Sequence, residues 1–311
     1  MTRRAARTGS LRGGCIAVAG LLIALGTGAA PAHAGGQIGK RFFPSTLAVE
    51  DPFASDELGL PTVLHIRRPA SAGGSAGRET RVSGEYAKRI TPDLELSVQG
   101  DWVYLDPDGA ASRSGFDNLG LGVKYQVFTS APRETILSVR LGLDVGGTGR
   151  QAIGAESFST VEAAFGFARG LGDLPGGLRR LRPLAVTGEV GTEIPTQTGP
   201  STLRLGLVLQ YSMPYLDAYV RDLGLPSPVR GLIPLVELEV TTALDRGQAG
   251  QTVGTVNPGV IWAGRTFQVG LEAVIPVNAR TGRNVGVRGG VSLYLDDLLP
   301  AIGRPLMGRT E

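Results

Sequence analysis

The chain has 311 residues, with 31 Lys and Arg against 28 Asp and Glu, 47 glycines, 42% hydrophobic residues and one cysteine. Its formal net charge of +3 comes from the start, where Arg3, Arg4, Arg7 and Arg12 stand without an acid; setting those four aside leaves 27 bases against 28 acids, a net of about −1. That balance removes the electrostatic basis for a nucleic-acid partner, and a lone Cys15 supports neither a disulfide framework nor a zinc-thiolate centre.

Residues 1–34 read as a cleaved signal peptide. The basic start is followed by an apolar stretch at 16–25, and Ala32-His33-Ala34 has the small-x-small form of a leader-peptidase site. The stretch is too short to span a bilayer as a helix. Cys15 precedes it, which argues against a lipid anchor, and Arg3-Arg4 lack the context of twin-arginine export. The mature chain is expected to start at Gly35.

Residues 35–61, with Phe42-Phe43-Pro44 and Asp51-Pro52-Phe53, lie outside any regular pattern. They read as a periplasmic lead-in or partial plug, with a loose terminus as the alternative.

Period-two alternation then sets in, the signature of strands. Leu94, Leu96, Val98, Gly100, Trp102 and Tyr104 alternate with Glu95, Ser97, Gln99 and Asp101. The same pattern places Leu119, Leu121, Val123, Tyr125 and Val127 on one face, and likewise Leu137 to Val145, Leu203 to Tyr211 and Val285 to Leu295 at every second position. Weaker copies lie at 80–90, 158–168, 184–194, 234–244, 256–263 and 267–277, and 62–69 serves as the first. Soluble sandwich strands average about five or six residues, whereas a tilted membrane-spanning strand needs roughly nine to eleven. These segments have the longer length, and the abundant glycines fall largely on their polar face.

The connectors agree. Those at 70–79, 106–115, 147–157, 196–201, 245–253 and 278–284 are rich in Gly, Ser, Asp and Asn, while 91–93, 130–134 and 264–266 are tight. Two on the tight side are longer, 170–180 and 215–231, and 215–223 is expected to form a short helix. The fold class is therefore all-β: a closed antiparallel up-and-down transmembrane β-barrel of about twelve strands at residues 62–299, with a periplasmic tail at 300–311. Its expected address is the bacterial outer membrane, with lipid and, during biogenesis, the barrel-assembly machinery as partners.

Strand phase assigns Glu95, Asp101, Asp144, Glu162, Glu189, Glu237, Glu239 and Glu272 to the lumen, with Lys124, Arg140, Arg204 and Arg288. Eight acids against four bases predict a lumen that prefers cations or neutral solutes. Leu96, Leu121, Leu141, Leu205 and Val287 are expected to face lipid, and Ser97, Gly122, Gly142 and Gly206 the interior.

The last strand, Arg288-Gly289-Gly290-Val291-Ser292-Leu293-Tyr294-Leu295, fits the polar-x-Gly-x-x-apolar-x-apolar pattern read by insertion machinery, but the chain runs on to Glu311. Gly147-Thr148-Gly149-Arg150-Gln151-Ala152 matches the dinucleotide expression G-x-G-x-x-A, yet alternation follows where a helix is needed, so an external loop is expected. Catalysis lacks parts. After cleavage His65 is the only histidine, it has no nearby acid, and paired carboxylates such as Glu237 and Glu239 are ordinary lumen residues. No catalytic residue, cofactor or metal is expected.

The strand Phe116-Asp117-Asn118-Leu119-Gly120-Leu121-Gly122-Val123-Lys124-Tyr125 resembles one found in outer-membrane barrels associated with phenol meta-cleavage pathways. Asn257-Pro258-Gly259-Val260-Ile261-Trp262, with Phe267-Gln268-Val269-Gly270-Leu271 and Ile275-Pro276-Val277, is similar to that family's closing hairpin. The likeness covers roughly residues 81–295. It implies a twelve-stranded outer-membrane barrel that passes small, often hydrophobic compounds, and it brings no transferable binding residues. A channel or uptake barrel for a small-molecule solute is the resulting expectation, against a non-conducting structural barrel whose lumen charges pair with one another.

Overall fold

Each alternating segment becomes a strand. The computed structural model describes residues 36–70 and 75–308; the expected leader, residues 1–34, lies outside the described residues. Twelve long strands follow in chain order: β1 (Glu57–Arg68), β2 (Gly77–Thr91), β3 (Leu94–Pro107), β4 (Leu119–Ser130), β5 (Thr135–Val145), β6 (Thr160–Gly170), β7 (Leu184–Pro195), β8 (Thr202–Tyr211), β9 (Leu232–Ala243), β10 (Thr252–Ala263), β11 (Phe267–Pro276) and β12 (Gly286–Tyr294). Each pairs antiparallel with its sequence neighbours. The sheet closes where β12 meets β1, with Arg288 opposite Leu64 and Val287 opposite His65. Closure leaves no unpaired edge, which is the condition for a sheet in hydrocarbon, where no water satisfies a free N–H or C=O. A short stretch, Arg113–Phe116, pairs with β3 just ahead of β4 and extends that wall.

Two boundaries differ from the sequence expectation. The first strand begins at Glu57, not at residue 62. Pro61 has no N–H to give to a ladder, and the register shifts between Gly59 and Thr62, so the alternation is broken inside a single strand. The last strand ends at Tyr294. Leu295, expected on the outer face, is buried and opens one helical turn, Leu295–Leu298. Beyond it the tail returns to β2, where the N–H groups of Leu306 and Met307 donate to the carbonyls of Arg89 and Ile90 at 3.3 and 2.7 Å.

The outer face is a band of Leu and Val with nothing over it. Leu96, Leu121, Leu205 and Val287 are all exposed, and Leu141 is 61% exposed. So much apolar area is stable only against lipid. Aromatics mark both rims: Trp102 and Tyr104 stack at 6.3 Å toward one, and Trp262 and Phe267 lie 5.3 Å apart toward the other.

At the rim that carries both chain ends, the connectors 92–93, 131–134 and 264–266 are tight. The longer 212–231 holds a helical turn, Met213–Tyr215, running into a π turn, Leu216–Val220, near the helix expected there. At the opposite rim the G-x-G-x-x-A stretch is a loop with a 3₁₀ turn, Gln151–Ile153, and Arg150 Nη1 donates to the Ser114 carbonyl at 2.7 Å. No helix follows it, so the dinucleotide geometry is absent there.

Candidate functional site

Residues 36–56 lie inside the barrel, and the inward glycines give them room. A Cβ on Gly206 would stand 2.5 Å from Val49 Cγ1, one on Gly270 2.8 Å from Leu47 Cδ1, and one on Gly166 3.2 Å from Pro52 Cβ. Gly166, Gly206 and Gly270 are thus seats for this segment. Val49 packs with Val208, Leu235 and Ile261, while Phe43 and Phe53 pack with Ile136, Ala168 and Ala185.

Polar contacts fix the segment at several heights. Near the chain-end rim a two-residue hairpin, Gln37–Ile38 with Arg41–Phe42, presents Arg41. Its Nε pairs with Glu134 at 3.1 Å, its Nη1 and Nη2 donate to the carbonyls of Pro183 and Arg182, and the guanidinium lies 4.0 Å from the Tyr215 ring. In the middle, the turn after Pro44 points three backbone N–H groups at one carboxylate: Leu47, Ala48 and Val49 donate to Glu237 at 2.9, 3.0 and 2.8 Å. Gln268 Nε2 donates to the Ser45 carbonyl at 2.6 Å and its Oε1 accepts the Tyr294 hydroxyl at 2.8 Å. Ala54 N–H donates to Gln126 and Ser55 N–H to Glu95, each at 2.7 Å.

Lys124 is the hub of the next cluster, with Glu50 at 3.0 Å and Asp51 and Glu95 each at 3.3 Å. Burial pushes the Glu50 carboxyl up, but Lys124, Arg140 and Arg204 pull it down harder, below the usual carboxylate range. Asp51 moves the other way, raised by burial and, against Lys124, by Glu50, Glu57 and Glu95. One lysine cannot serve every surrounding acid equally.

The remaining lumen cations are shared as well. Arg140 meets Glu162 at 2.5 Å and Glu189 at 3.5 Å; Arg204 meets Glu162 at 3.0 Å, Glu193 at 3.2 Å and Glu189 at 3.5 Å. Arg288 pairs with Glu272 at 2.9 Å and Glu239 at 3.2 Å, and Arg81 with Asp101 at 2.5 Å, Asp117 at 2.9 Å and Glu79 at 3.3 Å. Asp144 lines a small recess toward the rim away from the chain ends.

All twelve residues assigned by phase therefore lie on the inner wall. Strand phase also reaches Glu79, Arg81, Glu85 and Glu193, which the sequence reading did not single out, and the wall further holds Glu57 and Asp117. The outward partners of β2, Thr80 and Val82 among them, make a weak apolar face, so that strand's phase was hard to see. Glu50 and Asp51 come from the lumen segment, which no strand pattern covers. Carboxylates outnumber cations more steeply than the eight to four counted from sequence.

Two spaces remain. A cavity of about 280 Å³ lies between residues 45–51 and the wall of β1 to β3, and a recess of about 30 Å³ adjoins Asp144, Thr160 and Glu193. Glu85 and Gln99 line both. Among the described residues no carboxylate, histidine or cysteine group has a metal-binding arrangement. His65 points outward, its Nδ1 2.9 Å from Thr80 Oγ1.

No known family model matches the chain, and no curated protein matches it. Solved structures do. An outer membrane channel from Pseudomonas putida F1 aligns over 77% of this chain and 94% of its own at 15% identity, with a TM-score of 0.50. The KdgM porin aligns over 76% and 98% at 10% identity, TM-score 0.45, and LpxR from Salmonella typhimurium over 76% and 99% at 13% identity, TM-score 0.41. At such identities the channel's likeness is one of fold. The molecule is a closed, twelve-stranded antiparallel barrel of the outer-membrane type, with a segment of its own chain in the lumen.

Proposed function

We propose that this barrel is an outer-membrane channel for small cationic or neutral polar solutes, with residues 36–56 as a stopper that must loosen for passage. The observation that supports this most strongly is the cavity beside the stopper and the small recess near it, both lined by Glu85 and Gln99, with an excess of carboxylates around them. Export by a cleaved leader at residues 1–34, insertion by the barrel-assembly machinery and residence in the bacterial outer membrane belong to the same reading. The resemblance to barrels of phenol meta-cleavage pathways adds small hydrophobic compounds as candidate solutes, although the acidic wall favours polar ones.

A structural, non-conducting barrel is the competing reading, favoured by the pairing of Lys124, Arg140, Arg204 and Arg288 with acids. Planar-bilayer recordings across a salt gradient separate the two. The expected result is a reversal potential on the cation side. Anion preference contradicts the solute class, and silence at all voltages favours the structural reading.

A further inference from the structure

The connector between β6 and β7 ends in a short 3₁₀ stretch, Gly176–Leu181, of sequence Gly-Gly-Leu-Arg-Arg-Leu. It lies against the outside of the barrel. The Arg180 carbonyl accepts the hydroxyl of Tyr211 at 3.4 Å, and Tyr211 shares the outward phase of β8 with Leu203, Leu205, Leu207 and Leu209. The stretch therefore sits at the end of the lipid-facing band. Leu178, at a kink inside the stretch, and Leu181 at its end are 47% and 44% exposed. Arg179 and Arg180 between them are exposed, and neither enters an ion pair among the described residues. Arg133 in the neighbouring β4–β5 turn is exposed too, and Arg169 Nη1 donates to its carbonyl, which ties the two connectors together. Phe128, 48% exposed, lies on the outer face beside that turn.

We propose that this corner is a docking site for anionic phospholipid headgroups in the leaflet on the chain-end, periplasmic side. The two leucines continue the apolar band into the boundary between headgroup and acyl chain. The guanidiniums beside them present paired donors to a phosphodiester and are less strongly hydrated than an ammonium. Basic side chains at this depth attract anionic lipid. Asp173 is engaged by Arg169 at 2.5 Å and leaves Arg179 and Arg180 free for an external anion.

The test uses the full chain in nanodiscs of mixed phosphatidylcholine and phosphatidylglycerol, with spin-labelled lipid reporting which species sits at the barrel surface. The expected result is enrichment of phosphatidylglycerol that weakens with salt. Arg179→Gln with Arg180→Gln should lower its association by up to roughly thirtyfold, the scale for two arginines near an anionic surface. Arg280→Gln with Arg283→Gln, at the opposite rim, should leave the enrichment intact, and heat-modifiable migration confirms that both variants fold. No enrichment, or an equal loss in the control pair, overturns the proposal. None of these readouts involves conductance, so the lipid site and the channel reading fail separately.

Discussion

The backbone N–H of Val49 donates to Glu237 Oε2 at 2.8 Å, while the Val49 side chain fills the space above Gly206 one strand away. One residue of the lumen segment is thus held by a charge on β9 and by the missing side chain of β8. Hydrogen bonds to a charged group contribute about 1.5–3 kcal/mol each. Glu237→Gln keeps the size but removes the charge that three N–H groups share. It should loosen the segment by about 2 kcal/mol or more. The expected result is higher single-channel conductance and faster proteolysis within residues 36–56, with heat-modifiable migration unchanged. Unaltered conductance and protease resistance would remove Glu237 as the holding group.

Lipid and lumen faces should respond differently to charge. Leu121 faces lipid, and an arginine there costs roughly 2–4 kcal/mol near the midplane. Ser83 lines the 280 Å³ cavity and has room for a longer side chain. Ser97 is a poorer control, because a Cβ on Gly122 would already stand 2.4 Å from its hydroxyl. Reversible folding into bilayers of Leu121→Arg and Ser83→Arg should show the large penalty in the first alone. Equal penalties contradict the assignment of faces.

Glu85 is the carboxylate shared by both spaces, and among the described residues it enters no ion pair. If cations pass there, Glu85→Gln should shift the reversal potential toward zero without abolishing conductance. Lys124 lies deeper, where Glu50, Asp51 and Glu95 already occupy it. An unchanged reversal potential would move the selective step away from Glu85.

The barrel was legible because lipid and lumen impose opposite demands at every second residue, as the run from Leu203 to Tyr211 displays. What failed to show was whatever breaks that period. Pro61 hid the first half of β1, and the helical turn at Leu295 ended β12 one residue early. The lumen charges followed from phase where the outer face was strongly apolar, as for Glu95 and Lys124, and were missed on β2. The use of the inward glycines was not readable at all. Gly206 and Gly270 are ordinary strand glycines until Val49 and Leu47 are laid against them, and that pairing joins positions far apart in the chain.

A pH effect is expected at the base of the barrel, where Asp56 joins Lys88 and Arg89 at 2.6 Å each, and Arg89 also meets Asp296 at 3.3 Å. Burial, with Asp297 and Asp56 close by, raises Asp296 to about 6 against the pull of Arg89. Its folded value then exceeds the ordinary 3.8, so between these values the folded protein binds more protons than the unfolded chain. This group's contribution is present below 3.8 and is lost as pH rises toward about 6. Thermal unfolding in detergent should show a smaller drop across that window for Asp296→Asn than for the parent chain. Equal slopes would locate the titration elsewhere.

The lumen segment is tested most directly by removing it. Planar-bilayer conductance of the parent chain is compared with that of a variant lacking residues 36–53, which keeps Ser55 and Asp56 at the start of β1. Because this deletion frees the seats at Gly166, Gly206 and Gly270 and the Glu237 carboxylate, a several-fold rise in single-channel conductance is expected, with cation preference retained from Glu85 and the wall acids. Conductance equal to the parent's, or none from either protein, would contradict a channel stoppered by its own chain.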